Sequence, residues 1–356
     1  MSETVLAAVR TAPGTTELRE IPLPELPDDG ALMKVEVAGI CGTDVKMYAH
    51  PVIHAPVIMG HENVGTIVRA GPGFVEHYVA CNRCAWCRAG EYRHCAATDW
   101  RTNPDARRYG YTSAEHPYHL WGGFAQYMYL PWNAVLHRLP DTVTDAEAGI
   151  VTPLSNGVEW ALNDGGVGFM STVLVMGPGQ QGLSQVVACR QAGAALVIVT
   201  GTTRDAARLE LARTLGADHV VDVDDEDPLA RVRELTGGEG VDVVIDCTAG
   251  GGTAPILLGI DALRRRAGTI VVQGELAAFP AFPLKQVTEK AITIRSARGH
   301  GYRAVELAIE QLASKRFPLH LLTTHEFGLA DVDRAIRAVG GEVEEDVVHV
   351  SLLPWK

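Results

Sequence analysis

Thr172-Val-Leu-Val-Met-Gly-Pro-Gly-Gln-Gln-Gly182 runs an apolar segment straight into Gly177-x-Gly179-x-x-Gly182, and the helical pattern Leu183 to Ala192 follows at once. A strand, a glycine-rich turn and a helix in that order are the context in which G-x-G-x-x-G binds a dinucleotide. Gly177 permits the tight turn, Gly179 lets the backbone approach a pyrophosphate, and Gly182 lets the helix sit close to the strand. The first helical amides, at Gln180 and Gln181, then face the phosphates. By itself the motif is weak, because glycine-rich turns are common between strands and helices. The context is what strengthens it: apolar segments at 172–176, 196–200, 219–222, 241–246, 269–273 and 291–295 alternate with helical patterns. That rhythm predicts an α/β domain built on a parallel sheet with crossover helices.

The nature of the cofactor's ribose is read at the end of the second strand, Val199-Thr-Gly-Thr-Thr-Arg204. An NAD site places a carboxylate there, and an NADP site replaces it with a small residue and a nearby arginine. Gly201, Thr202 and Arg204 fit the second pattern, so NADP(H) is expected over NAD(H). Two readings stand beside it: Asp205, one residue farther on, serves an NAD ribose, or Arg204 is a solvent-facing residue at a helix start.

Working outward, residues 1 to 150 are rich in Gly and Pro and carry short β-type runs such as Leu32 to Val37 and Asn63 to Val68, which predicts an irregular, mostly antiparallel domain. After Gly299 come a helical stretch, Ala304 to Leu312, and a final strand, Val347 to Leu353, that could return to that domain. A length of 356 residues exceeds one ordinary core and suits two domains. The net charge of −12 argues against nucleic acid or an anionic membrane as partner, since both would be repelled, and favours a small-molecule ligand. The opening MSETVLAAVRTAPG lacks the pattern of a secretory leader, and no apolar run approaches the roughly 20 residues that span a bilayer. A cytoplasmic location is expected.

Cys81, Cys84, Cys87 and Cys95 form a C-x2-C-x2-C-x7-C run. Four thiolates this close together can close around one zinc ion with little loop-closure cost, as a structural site requires. A disulfide framework is the competing reading, but there are only seven cysteines in the chain. A second constellation lies upstream, in Gly39-Ile-Cys41-Gly42-Thr43-Asp44 and Gly60-His61-Glu62-Asn63-Val64-Gly65. Singly, Cys41 reads as a buried small hydrophobe and His61 as a core histidine; together the two motifs overturn those readings.

With the cysteine lobe and the Gly177 turn, in this order and at these separations, the chain resembles the medium-chain zinc-dependent alcohol dehydrogenase superfamily, in its sorbitol- and threonine-dehydrogenase-like branch. The resemblance covers nearly the whole chain. It implies a GroES-like catalytic domain at 1–153 and 299–356, with a structural zinc lobe at 81–95, and a Rossmann domain, with its doubly wound parallel sheet, at 154–298. It also implies a catalytic zinc facing the nicotinamide, and a homodimer or homotetramer in which Ala291 to Arg295 and the residues after it are candidates for the interface. The implied reaction interconverts an alcohol, secondary or polyol, with its ketone or aldehyde by hydride transfer.

Carried over residue by residue, Cys41 and His61 match the first two catalytic zinc ligands and Glu62 a conditional or water-linked third. Thr43 matches the hydroxyl that starts the proton relay, and Asp44 the carboxylate that receives the ring N–H of the zinc-bound histidine. Lys46 stands where some members carry a proton-passing histidine, and it reads equally as a surface lysine. The substrate walls would come from Tyr48, His50, Trp121 and the stretch near His300 and Tyr302, while Phe124 is expected in the core. Two departures stand out. Thr152 occupies the position of the next ligand in Val151-Thr-Pro-Leu-Ser-Asn-Gly157, and Glu159 is seven residues on. After Gly73 about ten residues of the family pattern are missing, read either as a true deletion or, preferentially, as an omitted piece, because the strand there helps close the β core. Thr152 leaves open a zinc-independent reductase of an activated C=C bond. A non-catalytic nucleotide-binding sensor or scaffold is the further alternative.

Overall fold

The computed structural model describes every residue except 1–3, 50–55, 69–70 and 274–277; His50 therefore lies outside the described residues. The chain forms two compact units, Met1–Thr152 with Gly301–Lys315 and Leu322–Lys356, and Pro153–His300 with Arg316–Leu321.

The first unit is organised on the strand Ala31–Ile40. Its residues Met33, Val35, Ala38 and Ile40 are buried in one hydrophobic cluster with Ile58, Phe124, Met128, Leu130, Val350 and Leu352. Each of the larger side chains contributes roughly 1.5–3 kcal/mol on burial. Ala31–Ile40 pairs antiparallel with Glu62–Ile67, His349–Leu353 and Tyr127–Leu130. Its register with Glu62–Ile67 sets Gly39 opposite Glu62 and Ala38 opposite Asn63. The chain leaving the first strand at Cys41 and the chain entering the second at His61 therefore meet at one end of the sheet. The strand Gly71–Val79 pairs with Glu62–Ile67 on one side and Ala134–Arg138 on the other. The pairing with Ala134–Arg138 carries an irregularity between Val75 and Val79.

Phe124 is fully buried in this core. Two expected substrate-wall residues are also used by the core. The Tyr48 hydroxyl donates to the Gly14 carbonyl at 2.7 Å, and Trp121 donates from Nε1 to the Pro117 carbonyl at 2.8 Å while packing on Tyr109 and Tyr129. An aromatic ring with one polar atom satisfied by a nearby carbonyl is as good a core residue as a pocket wall.

In the second unit six parallel strands lie in the order His219–Asp222, Leu196–Gly201, Thr172–Met176, Val243–Asp246, Thr269–Val272 and Thr293–Ser296. The first strand in sequence is central and the order reverses beside it, which defines a doubly wound sheet whose ligand site lies beyond the carboxyl ends of the strands at the reversal. Gly177 is placed there. Gln180–Gln191 forms the helix that follows, three residues ahead of the apolar pattern that announced it, because Gly179 serves as its N-cap. Among the described residues no helix is long and apolar enough to cross a membrane.

Candidate metal centre and cofactor turn

Cys41, His61 and Glu62 are all buried, and one ligand atom from each lies within 4.8 Å of the others. Cys41 Sγ is 3.4 Å from His61 Nε2, close to the roughly 3.5 Å that separates sulfur and nitrogen on one tetrahedral zinc. Cys41 ends its strand and Gly42–Ala49 begins a helix, so the Thr43 N–H donates to Cys41 Sγ at 3.3 Å and stabilises negative charge there. Asp44, fully buried in the first turn, accepts from the Cys41 N–H through Oδ2 at 3.0 Å and turns Oδ1 to within 3.3 Å of His61 Nδ1. One carboxylate thus fixes both the Cys41 backbone and the imidazole, leaving Nε2 as the ligating nitrogen.

The charges of this group are unbalanced without a cation. Burial pushes the Cys41 thiol up, against the pull of His61. Burial also disfavours the His61 imidazolium, but Asp44 and Cys41 beside it outweigh that and hold its pKa well above the ordinary value. Removing both protons and inserting a divalent ion satisfies thiolate, imidazole and carboxylate together, so the donor set fits zinc. Thr152 is buried in the helix Val151–Val158. Glu159, in the next helical segment Glu159–Asp164, belongs to neither group of metal-ligating side chains found among the described residues. Lys46 is exposed in the last turn of Gly42–Ala49.

Three residues beside this centre were not singled out in the sequence. The His77 ring lies 5.4 Å from that of His61, edge to face, and the Tyr111 ring 5.8 Å from it. Arg108 sets its guanidinium over the rings of Tyr78 and Tyr111, at 4.7 and 4.6 Å, with Nη2 2.7 Å from His77 Nε2. A guanidinium can only donate, so His77 Nε2 accepts and the ring is neutral with its proton on Nδ1.

The other group is the lobe Cys81, Cys84, Cys87 and Cys95, whose four sulfurs lie within 4.8 Å of one another with no disulfide among them. The Cys84–Cys87 and Cys81–Cys87 sulfur separations are 3.4 and 3.9 Å, bracketing the roughly 3.8 Å edge of a ZnS4 tetrahedron. The one-turn helix Ala85–Arg88 is capped by Cys84 Sγ, which accepts from the Cys87 N–H. Backbone hydrogen bonds from Arg83 and Cys84 pull the Cys81 thiol down to about 6, while burial and the neighbouring thiols push Cys87 up to about 12. A divalent ion would hold all four sulfurs as thiolates, so the donor set fits zinc.

In the second unit Gly177 has φ +89°, and a Cβ on Gly182 would fall 1.9 Å from the Gly177 carbonyl oxygen, so only glycine fits either position. Gly179 has open space around its Cα, and the unpaired amides of Gln180 and Gln181 lie in the first turn. At the end of Leu196–Gly201, Thr202 and Asp205 form a capping box in which Asp205 Oδ2 accepts from the Thr202 N–H and hydroxyl. Its other oxygen accepts from Arg208 at 2.8 Å. Burial opposes the charge on Asp205, but these bonds outweigh it and lower its pKa. Arg204 is exposed and makes no ion pair among the described residues. His300 is buried with Nδ1 2.8 Å from Asn156 Oδ1, and in the first unit the Tyr302 ring lies 4.2 Å from that of His137.

Comparison with known proteins agrees with this arrangement. The family described as alcohol dehydrogenase GroES-like domain matches residues 27–141, and that described as zinc-binding dehydrogenase matches residues 182–314. A probable alcohol dehydrogenase of Mycobacterium tuberculosis is 35% identical over 357 aligned residues, covering 95% of each chain. A sorbitol dehydrogenase of Halalkalibacterium halodurans is 30% identical, covering 94% of this chain and 95% of its own. The solved alcohol dehydrogenase of Thermus sp. ATN1 superposes with a TM-score of 0.82 at 26% identity, over 98% of this chain and 99% of the other. The chain belongs to the medium-chain zinc-dependent alcohol dehydrogenase superfamily. It is a dehydrogenase that acts on alcohols.

Proposed function

We propose that this enzyme interconverts a secondary alcohol or polyol with its ketone or aldehyde by hydride transfer with NADP(H), using one zinc at Cys41, His61 and Glu62. A second, structural zinc sits in the cysteine lobe. The observation that carries the reading is the convergence of Cys41, His61 and Glu62 in one buried cluster with Asp44 behind it. Zinc supplies a Lewis acid for the alcohol oxygen, and the nicotinamide supplies the hydride acceptor. Cys41 and Glu62 offset the ion's charge and His61 adds a neutral nitrogen, a set of three that leaves one position for substrate. Asp44 holds His61 in the ligating tautomer, and the Thr43 hydroxyl accepts the alcohol proton as it hands its own on, to leave by way of the cofactor ribose and Lys46, in its neutral amine form, or through water. The polyol side of the reading is supported by the likeness to the Halalkalibacterium sorbitol dehydrogenase.

Residues 1–153 and 299–356 form the catalytic domain and 154–298 the dinucleotide domain. Gly177, Gly179, Gln180, Gln181 and Gly182 cradle the pyrophosphate, and Gly201, Thr202 and Arg204 receive the 2′-phosphate. NADP is favoured because Asp205, the carboxylate that would select NAD, has both oxygens engaged within its own turn. The enzyme works in the cytoplasm as a homodimer or homotetramer. One observation favours a second reading: Thr152, a neutral hydroxyl where the family places a further ligand, suits a zinc-independent, NADPH-dependent reductase of activated C=C bonds. Initial rates decide between them. Zinc-loaded enzyme is expected to oxidise at least one of 2,3-butanediol, sorbitol and 2-propanol, with higher kcat/KM for NADP+ than NAD+. Reduction of an enone by NADPH with no turnover of any alcohol would replace the proposal by the second reading.

A further inference from the structure

Arg108 is 8% exposed, yet no carboxylate pairs with it among the described residues. Its Nη2 is satisfied by His77 and its face by two tyrosine rings, while Nε is buried without a hydrogen-bond partner. Nη1 has no protein partner among the described residues either. A guanidinium almost removed from water and left with open donors is unfavourable unless something anionic completes it. The side chain is also held in place: the Arg108 backbone bridges Tyr78, and its N–H and carbonyl both bond the Thr112 hydroxyl, at 3.1 and 3.0 Å.

The position matters as much as the charge. Arg108 touches His77 and Tyr111, and both of those rings lie against His61. The guanidinium is therefore one ring removed from a residue assigned to the metal. Of the buried carboxylates nearby, Asp44 is turned to His61 and the Cys41 amide, and Glu76 accepts from the Tyr92 hydroxyl. Resting on the alcohol dehydrogenase reading, we infer that Arg108 binds an anionic group of the substrate, a carboxylate or a phosphate, so that the enzyme prefers acidic polyols to neutral ones. His77 and Tyr111 act as positioning residues that aim the guanidinium. A planar fork of donors suits both oxyanions, and a charge-assisted contact of this kind changes affinity by about tenfold or more.

The test pairs sorbitol with two charged analogues of similar length, gluconate for the carboxylate and sorbitol 6-phosphate for the phosphate. In zinc-loaded wild-type enzyme, calorimetric Kd and kcat/KM are expected to favour at least one analogue over sorbitol by about tenfold or more. The analogue preferred identifies which oxyanion the site takes. Arg108→Met is expected to abolish that preference, mainly through KM, and Arg108→Lys to restore part of it. Equal binding of sorbitol and both analogues by wild type would overturn the inference, as would an Arg108→Met variant that keeps the preference. Calorimetry separates this inference from the reaction: binding of a charged analogue that depends on Arg108, without turnover, would uphold the anion site and count against the dehydrogenase reading alone.

Discussion

Arg204 presents an exposed guanidinium beside Asp205, a carboxylate whose two oxygens already accept from Thr202 and Arg208. Asp205 closes its own capping box and pairs with Arg208, so it cannot easily receive ribose hydroxyls, whereas Arg204 is available to a phosphate. Arg204→Ser is expected to lower kcat/KM for NADP+ by about tenfold or more while changing that for NAD+ much less. Steady-state kinetics with both cofactors check it, and an unchanged ratio would count against the phosphate role. Residues of this kind were legible in the sequence because their partners are local: Cys41 with Thr43 and Asp44, His61 with Glu62, and the cysteines within one short lobe. His77, Arg108 and Tyr111 were not. A lone histidine on a strand and an arginine in a loop carry no signal until the Tyr78–Arg108 bridge and the pairing of Asn63 with Val75 bring them to His61.

At the scale of the element, strands read well where apolar residues run unbroken. The six segments of the parallel sheet lie within a few residues of their expected positions, and the central ones, buried on both faces, need no alternation. The β-rich unit was harder, since its pairings join residues far apart in sequence. His349–Leu353, for example, inserts between Ala31–Ile40 and Thr323–Gly328. That insertion buries His349 completely, with Nδ1 3.1 Å from Thr323 Oγ1, and burial pushes its pKa down to about 4. An unfolded histidine takes its proton near 6.5, so between those pH values the unfolded chain binds the extra proton and acidification destabilises the fold. The loss from this residue is about 2 kcal/mol by pH 5. His349→Gln should therefore show a smaller fall in Tm between pH 7 and pH 5 than wild type. Parallel falls in the two proteins would show that the buried imidazole is not the source.

For the whole molecule, the alternation of strand and helix sufficed to give the parallel sheet with its crossover helices. An aromatic residue reads the same whether it lines a pocket or packs in a core, and Tyr48 and Trp121 both belong to the hydrophobic cluster of the first unit. The sheet ends at Thr293–Ser296, whose four residues are all exposed and include Ile294. An open edge with an exposed apolar residue is a template for pairing with a second copy. Light scattering should give a mass of two or four chains, reduced by Ile294→Asp; a monomeric wild type would remove the interface from this edge. Two zinc ions with different tasks are expected per chain, and the count is read from the metal content of purified wild type and of Cys41→Ser. Two zincs falling to one is the predicted result. A single zinc in both proteins would contradict it, leaving only the cysteine lobe occupied and the alcohol chemistry without its metal.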